Sequence, residues 1–369
     1  MANPQPRSQA IDVMRGLTLA LMIVVNMSIS ETLSYAPLLH AAWHGLTLTD
    51  VVFPTFLFAV GCSMSFSLGK YPNDGALLGK VFKRTALIFL CGYLLYWFPF
   101  FQFDPAGQLT LLPLAKTRIL GVLQRIALCY CLAALILHYW RERGALIFCG
   151  LALLGYWWLM TALGDFTLAG NAALKLDLWL FGEAHLYHGE GMAFDPEGLL
   201  GTLPATVNLL AGYFAGRFIQ AKGPGYESIA KLLLTGALCL LVALCWSSVF
   251  PINKKLWTSS YTLCTAGIDL FLLAALVYGV DLLRLRRWAW PFEIFGKNTL
   301  FIYLLAEVAM TILWTVKVGQ QAAFEWIYQG AFQGWAGDKP GSLIFALLFT
   351  LACWLIAFAM DRKKIYIKL

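Results

Sequence analysis

Residues 50–69 read DVVFPTFLFAVGCSMSFSLG, and after the opening Asp50 this stretch of twenty residues contains no charged side chain. About twenty apolar residues are what an α-helix needs to cross the hydrocarbon core of a bilayer. The whole chain of 369 residues is 60% hydrophobic and only 13% charged, whereas soluble domains carry about one quarter charged residues. The stretch therefore predicts a membrane-spanning helix, and the composition predicts that many others accompany it.

Ten apolar runs of comparable length follow one another along the chain. They lie at about 10–31, 50–69, 80–101, 118–139, 144–163, 198–219, 228–250, 259–282, 296–316 and 341–361. We therefore predict an all-α fold, a polytopic transmembrane bundle of about ten helices that forms one domain over residues 1–369. Two segments outside the bilayer, 32–49 and 164–197, are longer than simple connections and are expected to carry function. The ninth run is the least regular, because Lys297 and Glu307 interrupt it and residues 288–295 would extend it backwards.

The distribution of basic residues predicts the orientation of the bundle. With ten spans both termini lie on one side, and if that side is cytoplasmic, 19 of the 27 Lys and Arg residues lie inside, as the positive-inside rule favours. The same basic residues occur in short clusters between apolar runs, so the net charge of +7 does not indicate a nucleic-acid partner. We expect membrane lipid around the bundle and cytoplasmic termini.

Charged side chains near or inside the predicted spans are candidates for chemistry, because an ionisable group at membrane depth needs a partner or a polar cavity. Asp12 and Arg15 are three residues apart and can pair on one helix face; alternatively, Arg15 contacts a phosphate group at the cytoplasmic side. Asp195 and Glu197 precede the sixth span. They either stabilise the start of that helix or bind substrate hydroxyl or ammonium groups together with His185 or Asp50.

Two arginines, Arg118 and Arg125, are seven residues apart and are expected to share one face of the fourth span. Arg125 lies deeper, so it requires a polar cavity or a carboxylate partner, for which Asp269 and Glu307 are the candidates at similar depth. A structural ion pair and a role in substrate binding are both open at this point.

Asn26 ends the first span and His40 follows in the first outer segment. Histidine is the side chain best able to accept a proton near neutral pH, although a histidine in a loop is usually only a solvated polar residue. The motif HAAWHG places His40 and His44 four residues apart, as in some zinc pairs, but it lacks the glutamate of the metalloprotease pattern, so no metal is expected. Trp43 between them either stacks on a sugar ring or belongs to an interfacial aromatic belt.

Several of these segments together resemble a known family. The segments are AIDVMRGLTLALMIVVN (10–26), HAAWHGLTLTDVVFPTFLFAVGCSMSFS (40–67), RILGVLQRIALCY (118–130), HLYHGEGMAFDPEGLLGTLP (185–204), FPINKKLWTSSY (250–261), GKNTLFIYLLAEV (296–308) and DRKKIYIKL (361–369). In this order they are similar to the heparan-alpha-glucosaminide N-acetyltransferase family and its bacterial relatives. The similarity spans nearly the whole chain.

The resemblance implies an enzyme that takes acetyl-CoA from the cytoplasm and acetylates the amine of glucosamine or a glucosaminide on the other side of a bacterial inner membrane. It implies a catalytic histidine at His40 and a nearby asparagine at Asn26 that positions the acetyl carbonyl. A histidine that the lysosomal relative has in the GKNTLFIYLLAEV region is Ala306 here, so no catalytic role is assigned at that position. A homodimer is expected from the family.

The phosphates of acetyl-CoA cannot enter lipid, so we expect them near Arg15, Lys80, Lys83 and Arg84 on the inner side. On the acceptor side the sequence predicts substrate contacts from the five residues Trp43, Asp50, Arg125, His185 and Glu197. The main alternative function is a membrane carrier for N-acetylglucosamine or a related amino sugar, in which the same buried charges line a pathway and no CoA chemistry occurs.

Overall fold

The fold was analysed on a computed structural model that describes residues 8–27, 32–68, 74–103 and 108–367. The last residues of the first predicted span, 28–31, lie outside these ranges. The helices are α1 (Gln9–Asn26), α2 (Leu48–Ser65), α3 (Asp74–Trp97), α4 (Val122–Tyr139), α5 (Arg141–Leu163), α6 (Ala172–Phe181), α7 (Thr202–Lys222), α8 (Tyr226–Ser247), α9 (Ser259–Leu276), α10 (Arg286–Lys297), α11 (Thr299–Thr315), α12 (Ala323–Tyr328), α13 (Gly334–Ala336) and α14 (Asp338–Arg362). The predicted all-α membrane bundle is confirmed.

Two short antiparallel hairpins interrupt the helices. Strands β1 (Phe101–Phe103) and β2 (Leu109–Leu111) pair with Phe101 opposite Leu111, and β3 (Lys317–Val318) and β4 (Gln321–Ala322) pair with Lys317 opposite Ala322. Both lie in connections between long helices. Apart from Ala322, which is 2% exposed, the side chains described in these strands are exposed or half-buried.

Seven helices of the described chain are long and apolar enough to cross a membrane, and eight are if the bent pair α10–α11 counts as one span. The ten predicted spans are therefore not confirmed in number. Helices α3 and α7 have 24 and 21 residues but are less apolar. In α3 the cause is the charged first half, and in α7 it is a set of small and polar residues that face other helices instead of lipid.

The irregular ninth run is explained by a bend. Helices α10 and α11 meet at an angle of 78°, with Asn298 between them. The Asn298 side chain donates to the carbonyl of Ile365 and accepts from the N–H of Ile367, both at 2.9 Å. The Asn298 side chain thus fixes the segment after α14 against the bend.

Close helix contacts rely on glycine. A Cβ atom at Gly61 of α2 would collide with the main chain of α7 at Leu209, and one at Gly212 of α7 would collide with the main chain of α2 at Phe58. Small residues that let two backbones approach are typical of helix packing in membranes. This contact makes α2 and α7 the central pair of the bundle, so the residues at the start of α2 stand on a rigid support.

The start of α1 and the end of α14 lie at the same end of the bundle. Arg15 of α1 donates to the carbonyl of Gly296 at the end of α10 (Nε–O 2.9 Å), and the next residue, Lys297, pairs with Asp361 at the end of α14 (2.9 Å). We call this the Arg15 end. The opposite end, where α2 begins at Leu48, is called the His40 end.

Candidate functional site

A buried carboxylate holds His40 in place. Nδ1 of His40 lies 2.7 Å from Oδ1 of Asp50, whose side chain is 1% exposed, whereas the His40 side chain is 48% exposed. The second carboxylate oxygen accepts from the N–H groups of Ala41 and Thr47 and from the Thr47 hydroxyl, each at 3.0 Å. Thr47 and Asp50 also form the capping box that starts α2. The helix start itself therefore orients the carboxylate.

This geometry defines the protonation pattern of the imidazole. A carboxylate on Nδ1 favours the tautomer with its proton on Nδ1, which leaves the lone pair on Nε2. The carboxylate also stabilises the imidazolium that forms when Nε2 takes a proton, as in catalytic triads. His40 and Asp50 thus form the arrangement of a general base with its orienting carboxylate, and half of the ring is open to solvent.

A lysine from a distant part of the chain completes this group. Lys254 lies in the turn 251–258 between α8 and α9, and its Nζ is 3.1 Å from each ring nitrogen of His40 and 4.0 Å from Oδ1 of Asp50. Burial lowers the pKa of the Lys254 ammonium, and the carboxylates of Glu197 and Asp50 oppose that shift. We call His40, Asp50 and Lys254 the His40 cluster.

Trp43 connects the first outer segment to the second. Its Nε1 donates to the carbonyl of Phe166 (2.8 Å), and its ring packs against Phe194 at 5.8 Å between centroids. The ammonium of Lys255 lies 5.9 Å from the Trp43 ring centroid and pairs with Glu190 at 2.5 Å. These contacts partly bury the indole, so only part of its face remains open.

Beside the His40 cluster, one guanidinium binds two carboxylates. Arg118 forms a bidentate pair with Asp195 (2.6 and 2.8 Å) and a third bond to Glu197 (2.6 Å). Its guanidinium carbon lies 4.8 Å from the ring centroids of both Tyr96 and Tyr187. Helix α7 begins only at Thr202, so the alternative that Asp195 and Glu197 stabilise its start is wrong. Arg118, Asp195 and Glu197 are called the Arg118 cluster.

The buried carboxyls at this end differ in their proton affinity. Burial raises the pKa of Asp195 in spite of its bond to Arg118. Burial also acts to raise the pKa of Glu197. The positive charges of Arg118, Arg125 and Lys254 outweigh it, so the pKa of Glu197 lies below its ordinary value. Behind them, burial raises the pKa of Asp177 in α6 from 3.8 to about 7. The three carboxyls therefore differ in their affinity for protons.

Arg125 is 1% exposed, and among the described residues it forms no ion pair with a carboxylate. Its Nη2 donates to the carbonyl of Gly198 (2.7 Å), and its guanidinium carbon lies 4.9 Å from the ring centroid of Trp257. The expectation that Asp269 or Glu307 is its partner is wrong: Asp269 accepts from Thr55 at 2.5 Å, and Glu307 accepts from Asn26. Because α4 starts at Val122, Arg118 precedes the helix and the two arginines do not share a helix face.

The other two predicted acceptor-side residues have contacts of their own. Nδ1 of His185 lies 2.8 Å from the carbonyl of Thr117, so this histidine joins the second outer segment to the residues before α4. Asn26 is exposed at the end of α1, and its Nδ2 donates to Oε1 of Glu307 at 2.8 Å. The described hydrogen bonds thus link Asn26 to α11, and they do not link it to His40.

At the Arg15 end the predicted cofactor residues divide into two groups. Arg15 pairs with Asp12 as predicted (3.0 Å), and it also binds Ser63 of α2 (3.0 Å) and Gly296. In contrast, Lys80 and Lys83 are exposed on α3, and the next residue, Arg84, stacks on the ring of Tyr130 at 4.8 Å. Arg15 is therefore bound into the helix packing, whereas the two lysines face outwards.

Sequence reasoning missed Lys254 and the pairing of Arg118. The motif FPINKKLWTSSY was noted only for its resemblance, yet two adjacent lysines in a short connection between apolar runs, on the predicted side of His40, are a usable signal. The bond between Arg118 and Asp195 spans 77 residues, and no local pattern predicts it. Within the described residues, no group of three or more His, Cys, Asp or Glu side chains is arranged to hold a metal ion.

Fold and site together define a multi-pass helical membrane protein with an oriented histidine at one end of the bundle and basic residues at the other. The family model "Heparan-alpha-glucosaminide N-acetyltransferase, catalytic" matches residues 7–245, and the chain belongs to this family. It is 30% identical to the human heparan-alpha-glucosaminide N-acetyltransferase over 99% of its length, and 27% identical to the mouse protein of that name over 98%. The chain spans 60% of the length of each relative. Lys254 lies beyond the region that the family model matches.

Proposed function

We propose that this protein is a transmembrane N-acetyltransferase that moves the acetyl group of acetyl-CoA to the amine of glucosamine or a glucosaminide. The observation that carries the proposal is the 2.7 Å contact between His40 and the buried, fully oriented Asp50. Membership of the N-acetyltransferase family supports the reaction class.

The acceptor reaction needs a base. A sugar amine is mostly protonated near pH 7, so it must be deprotonated before it attacks a thioester. The ammonium group of the sugar first loses one proton to the surrounding water. In the proposed step the nitrogen of the neutral amine then bonds to the acetyl carbon, Nε2 of His40 receives a second proton from that nitrogen, and the C–S bond breaks as CoA leaves. The imidazolium then returns its proton to the departing sulfur. Asp50 stays ionised throughout and keeps the ring in position.

The oxyanion that forms on the acetyl carbonyl needs a fixed donor. An asparagine NH₂ group has two N–H donors, and Asn26 uses one of them on Glu307 (2.8 Å). That bond orients the amide, and the second N–H of the same NH₂ group can donate to a carbonyl oxygen. We assign this role to Asn26.

The two substrates would bind at opposite ends of the bundle. Asp50 and Ser63, which contacts Arg15, are thirteen residues apart on α2, and a helix rises 1.5 Å per residue, so the two ends are separated by about 20 Å. The phosphates of acetyl-CoA would lie at the Arg15 end with Lys80, Lys83 and Arg84, while the extended pantetheine arm carries the thioester towards His40.

On the acceptor side, we assign amine and hydroxyl binding to Glu197 and ring stacking to the open part of Trp43. The substrate contact predicted for Asp50 is not retained, because Asp50 is 1% exposed and both its oxygens are bonded within the protein, so it acts on the substrate only through His40. Arg125 and His185 would act from the edge of this site, through their bonds to Gly198 and Thr117. Following the positive-inside rule, the Arg15 end faces the cytoplasm and the His40 end faces away from it, in the inner membrane of a bacterium. Two copies would associate as a homodimer.

Purified protein in detergent, mixed with acetyl-CoA and glucosamine, should release free CoA and form N-acetylglucosamine in equal amounts. His40→Ala should abolish both. His188→Ala is the matched control, because His188 is an exposed histidine of the second outer segment, and it should retain wild-type activity. If the wild type releases no CoA while vesicles containing it accumulate N-acetylglucosamine, the protein is a carrier and the proposed function is wrong.

A further inference from the structure

Lys254 is held beside His40 by a turn of fixed shape. The N–H of Asn253 donates to Thr258 Oγ1 (3.1 Å), and the Asn253 side chain accepts from the N–H of Leu256 (2.8 Å). The turn is tied to the first outer segment because the N–H of Gly45 donates to the carbonyl of Ile252 (2.8 Å). The position of the lysine backbone relative to His40 is therefore built into the fold.

The Lys254 ammonium lies close to both nitrogens of the His40 ring. Its Nζ is 3.1 Å from both Nδ1 and Nε2 of His40, and the Lys254 side chain is only 15% exposed. Nδ1 already faces Asp50 at 2.7 Å, so Nε2 is the nitrogen to which Lys254 can donate. A positive charge at this distance disfavours a second positive charge on the ring. Asp50 on the other side has the opposite effect.

The surrounding charges favour an ammonium at this place. Burial opposes it by lowering the pKa of Lys254, but carboxylates approach from two other elements. The charged and titratable groups around Lys254 and His40 are Asp50 from α2, Glu190 and Glu197 from the second outer segment, Lys255 from the same turn, and His44 from the first outer segment. Glu190 and Glu197 also pair with Lys255 and Arg118, at 2.5 and 2.6 Å, so the group contains three carboxylates and, besides Lys254, two other fixed positive charges.

We infer that Lys254 is a positioning residue for His40: its ammonium lies 3.1 Å from both ring nitrogens and opposes a second positive charge on the ring until the acceptor amine takes its place. The inference rests on the proposed function, because it assigns the lysine a task in preparing the base. The effect of the Lys254 charge on His40 does not require acetyl transfer to occur. Removing the ammonium makes protonation of His40 easier, so the ring becomes neutral only at higher pH.

The test measures the protonation of His40 directly. Diethyl pyrocarbonate acylates neutral imidazole and not imidazolium, and mass spectrometry locates the product on the His40 peptide. The rate is followed from pH 5 to 9 on the full chain in detergent. In Lys254→Met the midpoint of the rate profile should move up by roughly one pH unit, and Lys254→Arg should restore the wild-type midpoint. Lys255→Met, a neighbouring lysine of the same turn, should shift the midpoint by much less.

The inference is overturned if Lys254→Met and the wild type have the same midpoint. Lys254→Gln gives the same comparison with a polar side chain if the Met variant does not fold. CoA release, measured on the same samples, separates the two proposals. Should the wild type show no acetyl transfer, the proposed function fails, while the His40 profiles still decide the role of Lys254. If transfer occurs, the acid limb of its pH profile should move with the labelling midpoint in each variant.

Discussion

The charged and titratable side chains at the two ends of the bundle differ in how they are bonded and exposed. At the Arg15 end, the guanidinium of Arg15 bonds to Asp12, Ser63 and Gly296 and thereby joins three helices. At the His40 end, Asp50 is equally well bonded, but the ring that it orients is 48% exposed. Arg15, whose bonds join three helices, mainly serves packing. His40 is oriented by a buried carboxylate and is nearly half exposed, so it can act on a substrate.

The largest effect should follow from removing the charge of Asp50. Asp50→Asn keeps a similar shape, but its amide cannot select the Nδ1–H tautomer of His40 or stabilise the imidazolium. We expect acetyl transfer to fall about 10²–10⁴-fold, measured as CoA release at saturating substrates. Asp165→Asn is the control, because Asp165 bonds only within its own exposed loop to Thr167; it should stay close to the wild type. Equal rates for the two variants would remove Asp50 from the mechanism.

The next largest effect concerns the stability of the Arg118 cluster. Arg118→Leu leaves Asp195 and Glu197 buried without their cation, which should destabilise the fold by about 3–5 kcal/mol. Unpaired buried carboxyls bind protons more readily when folded than when unfolded, so folding takes up protons and is favoured by low pH. The loss in melting temperature should therefore be largest at pH 8 and should shrink towards pH 5. A loss that is independent of pH would contradict this account.

A smaller and opposite change is expected at Asp177. Burial raises its pKa from 3.8 to about 7, so the folded state retains a proton that the unfolded state loses between these values. Its contribution to stability is therefore favourable at low pH, falls as pH rises through this window, and is lowest above pH 7. Asp177→Asn keeps an oxygen for the N–H of Leu199 (3.0 Å) and removes the charge. It should melt several degrees higher than the wild type at pH 8 and at about the same temperature near pH 4.

The smallest effect is expected at the Arg15 end, where Arg15 is packed between helices while Lys80 and Lys83 are exposed. The double variant Lys80→Gln/Lys83→Gln should raise the KM for acetyl-CoA by roughly tenfold and leave kcat unchanged, because it removes phosphate contacts that bind ground state and transition state alike. Arg15→Gln should instead lower the melting temperature through lost packing. If Arg15→Gln raises KM while the melting temperature stays constant, Arg15 binds the cofactor and its packing role is secondary.

Local sequence signals predicted much of the architecture. Apolar runs located the long helices, and the spacing of Asp12 and Arg15 gave their ion pair. The number of spans was harder to predict, because α7 lies inside the bundle. There Asn208 bonds to Thr262 and Thr265 of α9, and apolar side chains are not required. The ninth run contains a 78° bend between α10 and α11, and no local pattern predicted this bend or the bonds from Asn298 to the segment after α14.

The site was only partly predictable. His40 and Asp50 are ten residues apart, and their contact follows from the capping box of α2, which is a local feature. Lys254 reaches His40 across 214 residues and Arg118 reaches Asp195 across 77. Contacts of that kind depend on how helices are arranged, which no pattern in a single sequence specifies. For the same reason Arg125 was assigned a carboxylate and is found bonded to the carbonyl of Gly198.

The central claim is that the two substrates are bound at opposite ends of one bundle, and a sided reconstitution tests it most directly. Protein is inserted into liposomes that contain glucosamine, and acetyl-CoA is added outside; only molecules with the Arg15 end outwards can then react. We predict N-acetylglucosamine inside the vesicles and free CoA outside, with no product for His40→Ala. Product that forms only when both substrates are on the same side of the membrane would contradict the account.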